Sequence, residues 1–222
     1  MAVELKEHEL RVLGVLIEKS LGLPQYYPMS INSITLACNQ KNNREPVMAL
    51  TEGEVSSALH GLQLWQLVTQ APPEPGARVN RFRHEVEKRF GWNAPMRAIM
   101  AELMVRGPQT IGELRTNAGR LTHLDAPDHV REVIGELQRS DPPMVAELPR
   151  QVGQSAIRFG QLLGGPVKEM ADTKTVAQAP SSAAPRPTPV PGDLLARIKN
   201  LEDRVAALES EMAAAQQRRL DE

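Results

Sequence analysis

The sequence is short of cysteine, of aromatic residues and of net charge, and each shortage closes off a class of protein. Its one cysteine, Cys38, cannot form an internal disulfide, and a lone thiol fits a reducing compartment. Aromatics are 3% of 222 residues while hydrophobics are 41%, so any core must be built from aliphatic side chains. With 26 basic and 27 acidic residues the net charge is −1, and no global field draws the chain onto nucleic acid or a membrane. No apolar run reaches the roughly 18 residues a membrane span needs. The opening Met1-Ala2-Val3-Glu4-Leu5-Lys6 lacks the charged-then-apolar build of a signal peptide. The expected location is the cytoplasm, with no membrane partner.

Catalytic signatures are also missing. There is no G-x-S-x-G, no phosphate-cradling glycine loop and no H-E-x-x-H. Cys38 reads as a small buried thiol rather than a nucleophile. His123, Asp125, Asp128 and His129 cluster without a tetrahedral ligand spacing, and the two aspartates suit the start of a helix. The expectation is a protein that is not an enzyme, with no cofactor and no metal.

What is present is a degenerate repeat. Each half opens with an amphipathic helix, carried by Leu10, Leu13, Leu16 and Ile17 and then by Ile99, Leu103 and Met104 behind Pro95. A second helix with a hydroxyl cap follows at Ser30–Ile34 and at Thr110–Leu114. A third begins at the capping-box pattern Thr51-Glu52-Gly53-Glu54 and, in the other half, near Asp125–Asp128. Val55, Leu59 and Leu62 match Val130, Ile134 and Leu137 at an offset of 75 residues. A hairpin closes each half, Leu67–Gln70 with Val79–Phe82 and Val145–Leu148 with Ala156–Phe159, at an offset of 77. Three helices and a hairpin, twice over, is winged helix-turn-helix order. The predicted fold is mainly α (α+β), with winged-helix domains over 1–90 and 91–168.

The chain then changes character. Residues 169–192 are rich in Pro and Ala, with five prolines between Pro180 and Pro191, which predicts a flexible linker. Over 193–219 the apolar residues recur in steps of four and three. Ile198, Val205 and Met212 fall at a, and Leu194, Leu201 and Leu208 at d, the pattern of a parallel two-stranded coiled coil. Arg197 and Arg204 at g match Glu202 and Glu209 at e of a partner copy. A homodimer held by this helix is expected, although the same stripe also fits an amphipathic helix packed on its own globular part.

One segment stands apart. Helices 2 and 3 of the first half are separated by about a dozen residues, Ala37 to Met48, longer than an ordinary turn. Its asparagines suit turns, and Lys41, Asn43 and Arg44 form a candidate contact for phosphate or an acidic partner. The other reading is a buttress, with the amides holding loop backbone and Arg44 paired to an acid. The string Ala37-Cys38-Asn39-Gln40-Lys41 followed by Asn43-Arg44-Glu45-Pro46-Val47-Met48 resembles the signature segment of the YceH family of bacterial proteins. Leu16–Lys19, Tyr27–Ser30 and Arg106–Arg115 agree with it. The resemblance covers about residues 5 to 165. It implies the tandem winged-helix fold and brings no catalytic residues with it.

Residues 1–90 carry ten basic and ten acidic side chains, and residues 91–170 nine of each. The third helix of the first half, 51–64, holds no Lys or Arg, which is poor for a major-groove reader. Its hairpin is richer, with Arg78, Arg81, Arg83, Lys88 and Arg89 inside twelve residues. Arg81 and Arg83 fall on one face of an extended strand. The leading expectation is a DNA-binding or regulatory homodimer that uses Arg78, Arg81 and Arg83 with the Lys41–Arg44 loop. The alternative is a protein–protein scaffold similar to the accessory subunits of chromosome-condensing complexes, without direct DNA contact.

Overall fold

The computed structural model describes residues 3–72, 79–150 and 156–165. Arg78, the expected linker and the whole heptad segment (Leu194, Ile198, Leu201, Val205, Leu208 and Met212) lie outside the described residues. The described chain is a mixed α+β protein, mostly helical.

The first half runs α1 (Glu7–Gly22), a 3-10 turn at Pro24–Tyr26, β1 (Met29–Ser30), α2 (Ile31–Cys38), α3 (Glu52–Leu64), β2 (Val68–Gln70) and β3 (Arg81–His84). A short helix, α4 (Val86–Phe90), leads into the second half. That half runs α5 (Ala94–Arg106), β4 (Gln109–Thr110), α6 (Ile111–Ala118), α7 (Pro127–Arg139), β5 (Val145–Leu148) and β6 (Arg158–Gln161). Each half has one three-stranded antiparallel sheet, in the order β1-β3-β2 and β4-β6-β5. Register repeats too, since Met29 faces Phe82 and Gln109 faces Phe159.

The helix starts follow from local chemistry. Ser30, Thr51 and Thr110 accept hydrogen bonds from the amides of Ser33, Glu54 and Glu113, and Glu54 and Glu113 reach back to close reciprocal boxes. α7 carries Asp128 in its first turn, as the sequence suggests, but no side chain caps it. Ala126 holds the cap position with no side-chain bond, and Pro127 supplies a preset first turn. α4 ends at Gly91, whose φ of 70° is the left-handed conformation glycine adopts without a Cβ clash. The two-residue strands β1 and β4 were not foreseen, because a pair of residues carries no periodicity. The return strands also sit two residues later than read from sequence, at Arg81–His84 and Arg158–Gln161.

Residues 1–170 form one compact unit, and α1 and α5 are its axis. Both helices have a continuous buried stretch, α1 from Val12 to Ile17 and α5 from Ala98 to Val105. They pack tightly at Gly14, where an added Cβ would stand 2.8 Å from Met104 Cβ and 2.9 Å from Val105 Cγ1. The core is aliphatic, as the composition requires, with Leu13, Leu16, Ile34, Leu59, Ile99 and Leu103 wholly enclosed.

Candidate functional site

The spacing of the repeat locates the unusual segment. α2 and α6 start 80 residues apart, whereas α3 and α7 start 75 apart. The five extra residues fall between α2 and α3, where the first half needs 39–51 and the second only 119–126. Residues 41–43 and 45–47 of this longer connection are exposed.

Its interior is built on arginine. The Arg44 guanidinium is fully buried and spends its donors inward. Nε donates to Ala37 O (3.0 Å), Nη1 to Asn43 O (2.9 Å), and Nη2 to Gln40 Oε1 (3.0 Å) and Glu18 Oε2 (2.6 Å). Arg44 therefore cannot reach a phosphate or an acidic partner, and the contact expected of it is corrected to a buttress. Its acid is Glu18 of α1. Lys41 and Asn43 stay exposed on the outside of the loop, Asn43 with a positive φ of 63° that asparagine tolerates.

A second arginine, which sequence reading missed, completes the frame. Arg11 of α1 is 1% exposed and sends Nη1 to Cys38 O (3.3 Å) and Nη2 to Pro46 O (2.7 Å). Its Nε has no hydrogen-bond partner, and burial, with Arg44 close by, lowers its pKa. Asn39 pins the exit of the loop by exchanging two bonds with the backbone of Leu50 (2.8 and 2.7 Å). The Glu45 amide donates to Val105 O of α5 at 2.8 Å, which ties the segment to the second half. On that helix Glu102, 5% exposed, pairs with Arg106, and burial raises its pKa. Cys38 is enclosed in the same frame, and burial pushes its thiol up to about 12, the wrong direction for a nucleophile.

The hairpin behaves as its alternation predicts in one respect. Arg81 and Arg83 are exposed on one face of β3 while Phe82 and His84 are buried on the other. Both arginines already have partners. Arg81 Nη1 donates to Pro28 O (3.1 Å) and Arg83 Nε to Glu85 Oε1 (3.0 Å). The second half repeats the first of these bonds, with Arg158 Nη1 on Pro108 O at 2.7 Å. Behind the strand, His84 Nε2 lies 2.9 Å from Ser20 Oγ, its amide donates to Tyr27 Oη (2.5 Å), and burial lowers its pKa to about 4.

The outer surface of the first half is acidic and partly apolar. The exposed residues of α3 are Glu52, Gly53, Glu54, Ser56, Ser57, His60, Gln63 and Leu64. Leu36 on α2, Val47 in the loop and Leu64 are 66%, 59% and 74% exposed. Asn32, one turn before Leu36, donates to Glu52 Oε1 at 3.0 Å and joins α2 to the start of α3. In the second half, His123 pairs with Asp125 at 2.6 Å and Arg131 pairs with Asp128, all on exposed positions. Among the described residues no group of three or more His, Cys, Asp or Glu could hold a metal. No helix among them is long and apolar enough to cross a membrane.

The family described as "Protein of unknown function, DUF480" matches residues 5–154, and this chain belongs to it. It is similar to the UPF0502 protein GSU0233 of Geobacter sulfurreducens, 44% identical over 213 residues that cover 96% of this chain and 90% of the relative. A UPF0502 protein of Geotalea daltonii is 44% identical over 179 residues, 81% of each chain. The UPF0502 protein azo0627 of Azoarcus is 39% identical over 210 residues, covering 95% of this chain and 88% of that one. The resemblance drawn from the Ala37–Met48 segment therefore holds at the level of the family.

Proposed function

We propose that each half is a winged helix and that the pair is a non-catalytic module that holds a protein partner on the first half. The winged-helix reading is supported by the repeated order of three helices and a three-stranded sheet, with the first strand placed between helices one and two. The partner reading rests on the solvent face of α3. In this arrangement that helix is the one offered to a DNA groove, and it exposes Glu52 and Glu54 without a single Lys or Arg. Phosphate repels such a face, because groove and backbone contacts are made chiefly by cations and amides.

The partner is a segment with apolar anchors and basic flanks. Leu36 of α2 and Val47 of the loop offer exposed apolar area, and Asn32 of α2 joins the start of α3 through Glu52. Among the described residues between Lys19 and Arg81 the exposed acids Glu45, Glu52 and Glu54 outnumber the one exposed Lys or Arg, which is Lys41. The frame built on Arg11 and Arg44 holds this surface in one shape before a partner arrives, which lowers the entropy cost of binding. Self-association through the heptad helix of 193–219 would present two such surfaces.

A second reading keeps DNA, because Arg81 and Arg83 share the exposed face of β3 with Lys88 and Arg89 close behind. The bond each arginine makes uses one nitrogen, Arg81 Nη1 and Arg83 Nε, and leaves other N–H donors of the exposed guanidinium for phosphate. One experiment separates the two. Chromatin immunoprecipitation and affinity purification are run on the same tagged strains: wild type, Leu36→Asp with Glu52→Lys, and Arg81→Ala with Arg83→Ala. The expected result is one stoichiometric protein, lost in the first double variant and kept in the second, with no enriched genomic sites. Enriched sites that vanish with Arg81→Ala and Arg83→Ala would overturn the partner reading in favour of the wing.

A further inference from the structure

The connection from α1 to β1 has no counterpart of its length in the other half. It spans residues 23–28, whereas α5 reaches β4 through residues 107–108. The longer turn leaves Leu23, Pro24, Gln25 and Tyr26 exposed. Of the seven aromatic residues in the sequence, Tyr26 alone is exposed, at 69%, and Leu23 is 40% exposed. Tyrosine is enriched at the centres of protein interfaces over the rest of the surface, so the one open aromatic of an aromatic-poor chain marks a contact.

The flanks of this turn are basic. At its start Gly22 packs against Leu121, whose Cδ2 lies 3.3 Å from where a Cβ would stand. The adjacent Arg120 is exposed and forms no ion pair among the described residues. At its end Arg81 Nη1 holds Pro28 O, and the other N–H donors of that exposed guanidinium make no bond among them. Residues 19–44 contain no Asp or Glu, and Glu18, just before them, is engaged by Arg44. The α2–α3 surface has the opposite chemistry. Leu36 and Val47 are 66% and 59% exposed there, and the exposed Glu52 and Glu54 open α3. Both surfaces belong to the same compact unit, and each keeps its apolar residues open, so neither covers the other within one copy. They can meet only between copies.

We infer that the 23–28 turn docks on the α2–α3 surface of a second copy of this chain. Leu23 and Tyr26 cover Leu36 and Val47, while Arg81 and Arg120 face the acids at the start of α3. The inference rests on the reading of the α2–α3 surface as one that holds a protein, and it names that protein. Opposite charge selects this pairing and excludes turn against turn. A contact anchored on one tyrosine and one leucine buries little area, so it is weak between free copies. A heptad dimer over 193–219 would supply the second copy at high local concentration.

The test is photo-crosslinking of the full chain with p-benzoylphenylalanine in place of Tyr26. The expected product is a covalent dimer on denaturing gels, with the crosslink mapped to residues 31–64 of the second copy. Glu52→Lys and Arg120→Glu, both at exposed positions, should each lower its yield at least about threefold. The two changes in one chain reverse both sides of the contact and should restore the yield, which a merely misfolded variant would not do. No covalent dimer, or one mapped outside residues 31–64, would overturn the inference. So would a yield that neither charge reversal lowers, or one that the double reversal fails to restore. If the covalent dimer is absent while a different protein is still lost from the strain with Leu36→Asp and Glu52→Lys, the second copy falls and the partner-holding surface stands.

Discussion

Arg44 shows how a residue that looks like a ligand contact becomes structure. Its guanidinium makes four bonds in the interior, two to its own loop, one to the end of α2 and one to Glu18. Removing it leaves the half-buried Glu18 with only Lys19 and leaves several carbonyls without a donor, so Arg44→Ala should cost about 2–4 kcal/mol in urea unfolding. Lys41→Ala, three residues away and exposed, should stay within about 0.5 kcal/mol. Arg44→Lys should recover little, because an ammonium cannot reproduce the planar fork. His84 sets a pH dependence of definite sign. Its folded pKa of about 4 lies below the ordinary histidine value of 6.5, so between those values the unfolded chain binds more protons. The stability it contributes is complete above about pH 6.5, falls as the pH drops toward 4, and amounts to no more than about 3 kcal/mol. Urea midpoints at pH 7.5, 5.5 and 4.5 should show a smaller loss for His84→Gln than for the wild type. Equal losses would assign the dependence to the carboxylates.

At the scale of elements, the junction of the two halves rests on small residues as much as on large ones. Gly14 lets α1 lie against α5, and a methyl group there meets Met104 Cβ and Val105 Cγ1 inside 3.0 Å. Gly14→Ala should therefore cost about 1–3 kcal/mol by forcing the helices apart, against the gain in helix propensity expected of that change on an open face. Thermal melts followed by circular dichroism would read it. The helices themselves were legible because apolar spacing and hydroxyl caps mark them locally, as at Thr51 and Thr110. Arg11 was not. It sits between Leu10 and Val12 on what sequence periodicity makes the edge of a polar face, and it is buried only because the 39–51 segment folds over it. Glu18 and Glu102 were missed for the same reason, since long-range cover leaves no local signature. The candidate surface was thus half visible: the segment announced itself by length and composition, while its acidic, apolar outer side emerged only once Arg44 was seen to point inward.

For the whole molecule, the question is how many copies act together. The heptads at Leu194, Ile198, Leu201, Val205, Leu208 and Met212 predict a dimer held outside the globular unit. Light scattering should give a dimer mass for the full chain and a monomer mass after truncation at Gly192. A dimer that survives truncation would place self-association within residues 1–192. The near-equal charge of the two halves also predicts that any DNA binding comes from a few contacts and fades as salt rises, with a slope set by the arginines engaged.

The bond from the Glu45 amide to Val105 O has a consequence for exchange with solvent. Backbone amides in an exposed loop ordinarily trade their hydrogens through small local openings, within seconds to minutes. This one is locked to the central helix of the other half, above a floor of two buried arginines. Its deuterium uptake should match the slowest amides of α1 and α5, so that a single slow amide in the loop reports how often the two halves come apart.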